Sequence, residues 1–109
     1  MKSAAIAVIL LAASLLACGS SGPSDRGAPG SPVEGIVIRV ESSGLTDVQG
    51  FALRTNDGQT LEFRLGPLEN GAQFPPGHLA EHQANSAPVR VFFRLEGADR
   101  VAFWIQDAG

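Results

Sequence analysis

The sequence predicts a mostly β protein, a small five-stranded barrel with one short helix between its third and fourth strands. Three observations carry this expectation. Between Val33 and Asp107, large apolar residues recur at every second position in five separate segments, the spacing of strands with one face turned inward. Two of the connections read as three-residue loops, Asn56-Asp57-Gly58 and Gly97-Ala98-Asp99, and an odd count keeps both flanking apolar sets on one face. The long connection from Gly66 to Pro88 has the room and the composition for a helix.

Taken in order, the first segment alternates Ile36, Ile38 and Val40 with Val37, Arg39 and Glu41. The second sets Phe51, Leu53 and Thr55 against Ala52 and Arg54, and the third sets Leu61, Phe63 and Leu65 against Glu62 and Arg64. An Asn-Asp-Gly loop, with Gly58 at positive φ, pairs Leu53 with Leu61 and Phe51 with Phe63. Within Gly66 to Pro88, the stretch Gly77 to Ala84 holds fair helix formers, with Leu79 as its one large apolar anchor, and Pro88 stops anything beyond. The fourth segment alternates Val89, Val91, Phe93 and Leu95 with Arg90, Phe92 and Arg94; the fifth alternates Val101, Phe103 and Ile105 with Ala102 and Trp104. A three-residue loop at Gly97 then pairs Leu95 with Val101, Phe93 with Phe103 and Val91 with Ile105, and places Glu96 opposite Arg100.

This order of elements across residues 33–107, β-β-β-α-β-β, resembles the OB-fold. The resemblance implies a closed barrel, which removes exposed strand edges, and a face able to hold an oligonucleotide, an oligosaccharide or a partner protein. A five-stranded sandwich or an SH3-like barrel is the alternative, but the helical insert fits those less well.

Ahead of the barrel, Lys2 leads an apolar run from Ala4 to Ala17 that ends in Leu15-Leu16-Ala17-Cys18. A membrane-spanning helix needs roughly 20 apolar residues, and this run is shorter. An ordinary secretory signal would close on an A-x-A-like site; here the chain's single cysteine stands there. The arrangement resembles the lipobox of bacterial lipoproteins. It implies a diacylglyceryl thioether on Cys18, cleavage before it, and acylation of the new N-terminus. Residues 1–17 are then a signal peptide, residues 18–32 a lipidated flexible Gly/Ser/Pro linker, and residues 33–107 the folded domain. As a free coil the 14 residues from Gly19 to Pro32 would average about 20 Å in span. Gly19 and Ser20 lack the Asp that retains many lipoproteins in the inner membrane, so sorting to an outer membrane is compatible with this start. The expected location is the cell envelope, with the domain facing the periplasm or the exterior.

Of the 109 residues, 92 lie beyond the expected cleavage point, enough for one small domain with a modest core. Without Lys2, seven basic side chains face eleven acidic ones, a net charge near −4. Nucleic acid rewards concentrated positive charge, so it is not an expected partner. A lipid-blocked single cysteine leaves neither a disulfide nor a thiol for catalysis or metal ligation.

Two groups of residues are candidates for a site. Arg54, Arg64, Arg90 and Arg94, with Arg39, fall on outward strand positions beside Phe92 and Trp104, and Phe92 stands directly opposite Trp104 in the expected register. Arginine beside aromatic surface suits an envelope protein or a glycan; it is also ordinary solvation of a sheet, with Phe92 and Trp104 lying under the Gly66–Pro76 loop. The second group is His78-Leu79-Ala80-Glu81-His82, which spells the H-x-x-E-H motif of inverted zinc proteases. Histidines at i and i+4 share a helical face and can hold one divalent metal. Such proteases are far larger and take a third ligand from a second helix, whereas Glu96, Asp99 and Asp107 here read as hairpin or tail positions. The bland reading places His78 at the helix start and His82 in solvent or against Phe74. No serine sits in a strained elbow and no glycine-rich phosphate loop is present, so the expectation is a binding module and not an enzyme, with no cofactor beyond a divalent metal on the histidine pair.

Overall fold

A computed structural model of the chain describes residues 22–23, 25–44 and 47–109. Residues 1–17, expected as a signal peptide, and Cys18, the expected lipidation site, lie outside the described residues. Five strands, β1 (Val33–Ser42), β2 (Val48–Thr55), β3 (Thr60–Leu65), β4 (Val89–Glu96) and β5 (Asp99–Asp107), close into a barrel in the order β1-β2-β3-β5-β4. One helix, α1 (His78–Asn85), stands between β3 and β4. Neighbours are antiparallel except β3 and β5, which run parallel through Arg64–Val101 and Leu65–Ala102. This is the OB-like arrangement that the element order predicts.

The β2–β3 hairpin has the expected register, Leu53 opposite Leu61 and Phe51 opposite Phe63, around Asn56-Asp57-Gly58 with Gly58 at φ 88°. The Thr55 hydroxyl, and then the Gln59 N–H, hold the Asp57 carboxyl below its ordinary pKa. A carboxylate so depressed stabilises the turn above the unfolded-state pKa, and that contribution fades as pH falls through the folded value.

Inside the barrel the rings interlock. Phe51 stacks on Phe63 with centroids 5.1 Å apart, and Phe63 meets Phe93 edge-on at 5.4 Å. Val37, Leu53, Val89, Val91, Ala102 and Ile105 fill the space around them, and Phe74 and Leu79 close one end. Burying side chains of this size stabilises by about 1.5–3 kcal/mol each.

Three expectations need correcting. In β1 the core residue is Val37, not Ile36 or Ile38. The register slips between Val37 and Arg39, leaving Ile38 as the extra residue, so that Val40 again packs on the core. A bulge of this kind bends the strand and re-aims the side chains beyond it.

In the β4–β5 hairpin the loop is two residues, Gly97-Ala98, with Glu96 opposite Asp99 and Leu95 opposite Arg100. Gly97 takes φ 62°, which suits a tight turn between twisted strands. The ladder then slips between Phe92 and Phe93, so Phe93 faces Ala102 while Phe92 faces Trp104 and Val91 faces Ile105 as expected. Phe103 is the residue left over. It is buried as expected, at 2% exposed, but its ring packs apart from the Phe51–Phe63–Phe93 cluster, beside Phe92 at 6.5 Å and under the Arg94 guanidinium at 4.0 Å. Leu95 does not reach the core either; it is 54% exposed, in an open groove with Pro29, Val33 and Leu61.

The third correction concerns residues 25–32, expected as part of a flexible linker. Gly27 bridges to Phe93 in parallel, the Ala28 N–H donates to the Phe93 carbonyl at 2.9 Å, and the Phe93 N–H donates to Ser31 Oγ at 3.0 Å. β1 pairs with β4 only as far as Val33–Val91, so the strap satisfies the β4 edge beyond that point. Gly27 has φ 91°, and a Cβ there would stand 2.1 Å from the Phe93 carbonyl oxygen. Only glycine permits this approach.

Phe93→Ala should therefore cost about 3–5 kcal/mol. Leu95→Ala, two residues along the same strand, should change stability by about 0.5 kcal/mol or less. Chemical denaturation of the two variants checks the pair, and equal losses would contradict the observed register.

Candidate functional site

The sheet arginines are brought together with carboxylates rather than with one another. Arg64 meets Asp99 at 3.0 Å and Glu96 at 3.7 Å, Arg39 meets Glu41 and Glu62 at 3.2 and 3.3 Å, and Arg94 meets Glu69 at 3.3 Å. Arg90 is paired with Glu34. Arg54 alone of the candidates has no ion-pair partner among the described residues. Exposed pairs of this kind add about 0–1 kcal/mol each, and together they neutralise most of the outward arginines of the sheet. Phe92, only 6% exposed, lies beside Phe103 with ring centroids 6.5 Å apart. It stands opposite Trp104, as expected, but it supports the outer layer and offers no contact surface.

Trp104 is different. It is half-buried, its indole N–H donates to Gln106 Oε1 at 2.9 Å, and it walls a groove of about 470 Å³ lined also by Gly22, Asn70, Gln73, Gln106 and Asp107. Asn70 anchors the opposite wall. Its side chain is buried, donating to the Ile105 carbonyl at 2.7 Å and accepting from the Ile105 N–H at 3.4 Å. A side-chain amide thus plays the part of a sixth strand beside β5, pinning the β3–α1 connection. Gln73 remains exposed at the rim.

At its far end this groove runs into a smaller one of about 130 Å³ that adds Phe74 and His78 to the same walls. Helix α1 presents His78 and His82 on one face, with ring centroids 5.0 Å apart. Buried Phe74 fixes both, edge-on to His78 at 5.0 Å and stacked on His82 at 5.6 Å. His82 packs on Phe74 as one of the expected alternatives has it, but it is not in solvent.

The helix end sets the His82 tautomer. The chain reverses at Ser86, φ 52°, and the Ala87 N–H donates back to the His82 carbonyl at 3.1 Å. That turn returns the Ala87 carbonyl to 3.0 Å from His82 Nδ1. A carbonyl only accepts, so Nδ1 carries a proton. His82 Nε2 then lies 2.8 Å from Asp107 Oδ1, at the end of β5. A carboxylate also only accepts, so a proton or another cation must lie between these two atoms. His78 in turn meets Glu81 through Nδ1 at 3.0 Å.

Sequence reasoning found both histidines but set Asp107 aside as a tail position, whereas the structure brings it to them. The signal was present: with Phe92 opposite Trp104, the same antiparallel register puts Asp107 opposite Val89, as observed. Val89 lies just past the helix end, so the β5 terminus and the His82 turn had to meet.

The fold and the groove together define an OB-like barrel with an open site at the junction of β5, α1 and the β3–α1 connection. No protein-family model, curated protein or solved structure matches this chain.

His82→Ala should cost about 1–3 kcal/mol, because it leaves the Ala87 carbonyl without its donor and opens space beside Phe74. Asp107→Ala should cost less than about 1 kcal/mol, since that side chain is 70% exposed. Thermal unfolding of both variants in the presence of a chelator measures the difference.

Proposed function

We propose that the chain is a lipid-anchored protein of the cell envelope whose barrel is a non-catalytic binding module, with a glycan as the class of ligand. The observation that carries the binding half of this reading is the groove walled by Trp104. An indole offers an apolar plane for the CH face of a sugar ring and a polar edge beside it. The amides of Gln73 and Gln106 supply donors and acceptors, and Asp107 supplies acceptors, for ring hydroxyls. One aromatic plane beside four polar side chains suits a hydroxyl-rich ligand better than an apolar one. The arginines do not compete for this role, because most of them are held by neighbouring carboxylates, and the barrel then lacks the basic stripe that phosphate backbones require. The anchoring half rests on Lys2, the apolar run and Leu15-Leu16-Ala17-Cys18.

Two measurements test the two halves separately. Cells expressing the full chain and fed radiolabelled palmitate should label it at Cys18, and Cys18→Ser should abolish both the label and membrane fractionation. Trp104 is the single tryptophan, so its fluorescence reports the groove directly. Titration with soluble fragments of envelope glycan should shift or quench that emission in a saturable way. Competition by the same fragments should persist in Arg94→Ala and disappear in Gln73→Ala/Gln106→Ala. Flat emission across all fragments would remove the glycan reading and leave the anchor standing.

A further inference from the structure

We infer that His78, His82 and Asp107 form a binding site for one divalent transition-metal ion of borderline softness, of the zinc class. This goes beyond the glycan reading and does not depend on it, although Asp107 belongs to both.

Four features converge. Each of the three residues offers one ligand atom, and these atoms lie within 4.8 Å of one another. In a tetrahedral zinc site, metal–ligand bonds of 2.0–2.1 Å place ligand atoms about 3.3 Å apart. The observed 2.8 Å between His82 Nε2 and Asp107 Oδ1 and the 4.8 Å upper limit bracket that value, so small side-chain rotations suffice.

The rotations are available where they are needed. Asp107 is 70% exposed at a strand end, and His78 is 36% exposed on the first turn of the helix. His82, by contrast, is locked. Its Nδ1–H is held by the Ala87 carbonyl and its ring is stacked on Phe74. A histidine whose far nitrogen donates to a backbone carbonyl, leaving the other lone pair facing a carboxylate, has the orientation that metal-binding histidines take.

The charge balance favours a cation as well. With Nδ1 protonated, Nε2 and the Asp107 oxygen are two acceptors in contact, and only a positive species between them relieves their repulsion. A proton does so for one pair of atoms. A divalent ion does so while also engaging His78, whose Nδ1 meets Glu81 and whose other ring nitrogen a proton on His82 does not engage. Two imidazoles and one carboxylate suit zinc and its neighbours better than magnesium or calcium, which prefer oxygen alone. The fourth position opens toward the groove, because Asp107 lines both grooves.

The test uses the full chain in detergent micelles, carrying no polyhistidine tag. Calorimetric titration with Zn²⁺ should show one ion per chain. Thermal unfolding should move to higher temperature with added Zn²⁺, since binding to the folded state alone raises stability, and chelator should reverse the shift. Co²⁺ should give visible absorption of the intensity that marks four- or five-coordinate sites. His78→Ala and Asp107→Asn, both at accessible positions, should each weaken Zn²⁺ binding by at least about 10-fold, the lower end of what disturbing a metal's supporting residues costs. Those two variants carry the test should His82→Ala fail to fold. Absence of saturable Zn²⁺ binding would overturn the site and leave an imidazolium–carboxylate pair only. Binding that survives unchanged in both accessible variants would equally overturn it, since the ion would then sit elsewhere. Loss of Zn²⁺ binding with glycan titration intact, or the reverse, separates this site from the groove's proposed ligand.

Discussion

One extra residue in β5 governs much of what surrounds it. A sheet of five short strands closes only if β5 pairs antiparallel with β4 and parallel with β3, and the β4–β5 ladder absorbs the mismatch as a slip at Phe103. Below the slip, Phe93 meets Ala102, a small partner that leaves room for Phe63 and Phe51. The displaced Phe103 ring would be costly in water. It is instead covered by Arg94 on one side and the Gly27 backbone on another. The strap of residues 27–31 therefore serves two needs at once: it shields a ring that the bulge expels, and it pairs the β4 edge that β1 leaves open.

Above the slip the consequences are of another kind. Ile105 and Asp107 keep the register they would have had in an unbroken ladder, so the strand end still arrives beside the helix terminus. Asn70 grips the Ile105 backbone from the other side. The β5 terminus is thus held by a neighbouring strand and a side-chain amide, and Asp107 is presented from a rigid support although its own side chain is free. Sites placed on strand and helix ends of a fixed scaffold hold geometry better than sites on loops alone.

The strands, the helix and the β2–β3 register were legible because alternation and one Gly-containing loop determine them locally. The failures share one physical origin. Period-two reading assumes an unbroken ladder, whereas β1 and β5 each carry one extra residue, at Ile38 and Phe103. Each is an apolar residue at the position where alternation expects one, so nothing in the local pattern marks it as extra. Both bulges follow from closure, a long-range demand. The strap was hidden for a different reason: Gly27, Ala28 and Ser31 bury little apolar surface, and they dock through backbone bonds and a positive-φ glycine that composition cannot reveal. The site was half legible. The i, i+4 histidines are a local signal, while Asp107 required the hairpin register to be carried through to its end.

The strap also changes what the N-terminal segment can do in the proposed lipid-anchored form. A linker free to Pro32 would let the barrel roam about 20 Å from the lipid on average. Docking at Gly27 leaves eight residues between Cys18 and the barrel, a fully extended reach of roughly 30 Å and less in practice. Gly22 lies only four residues after Cys18 and already lines the Trp104 groove, so the groove stands within roughly 14 Å of extended chain from the anchor. A barrel tethered in this way presents that groove, and the His78–His82–Asp107 end of it, close to the membrane surface rather than out in bulk solvent. Ligands or ions concentrated near that surface would meet the site first. Gly27 thus shortens the tether by docking on Phe93, and Gly22 sets the side of the barrel that a lipid on Cys18 would hold nearest the bilayer.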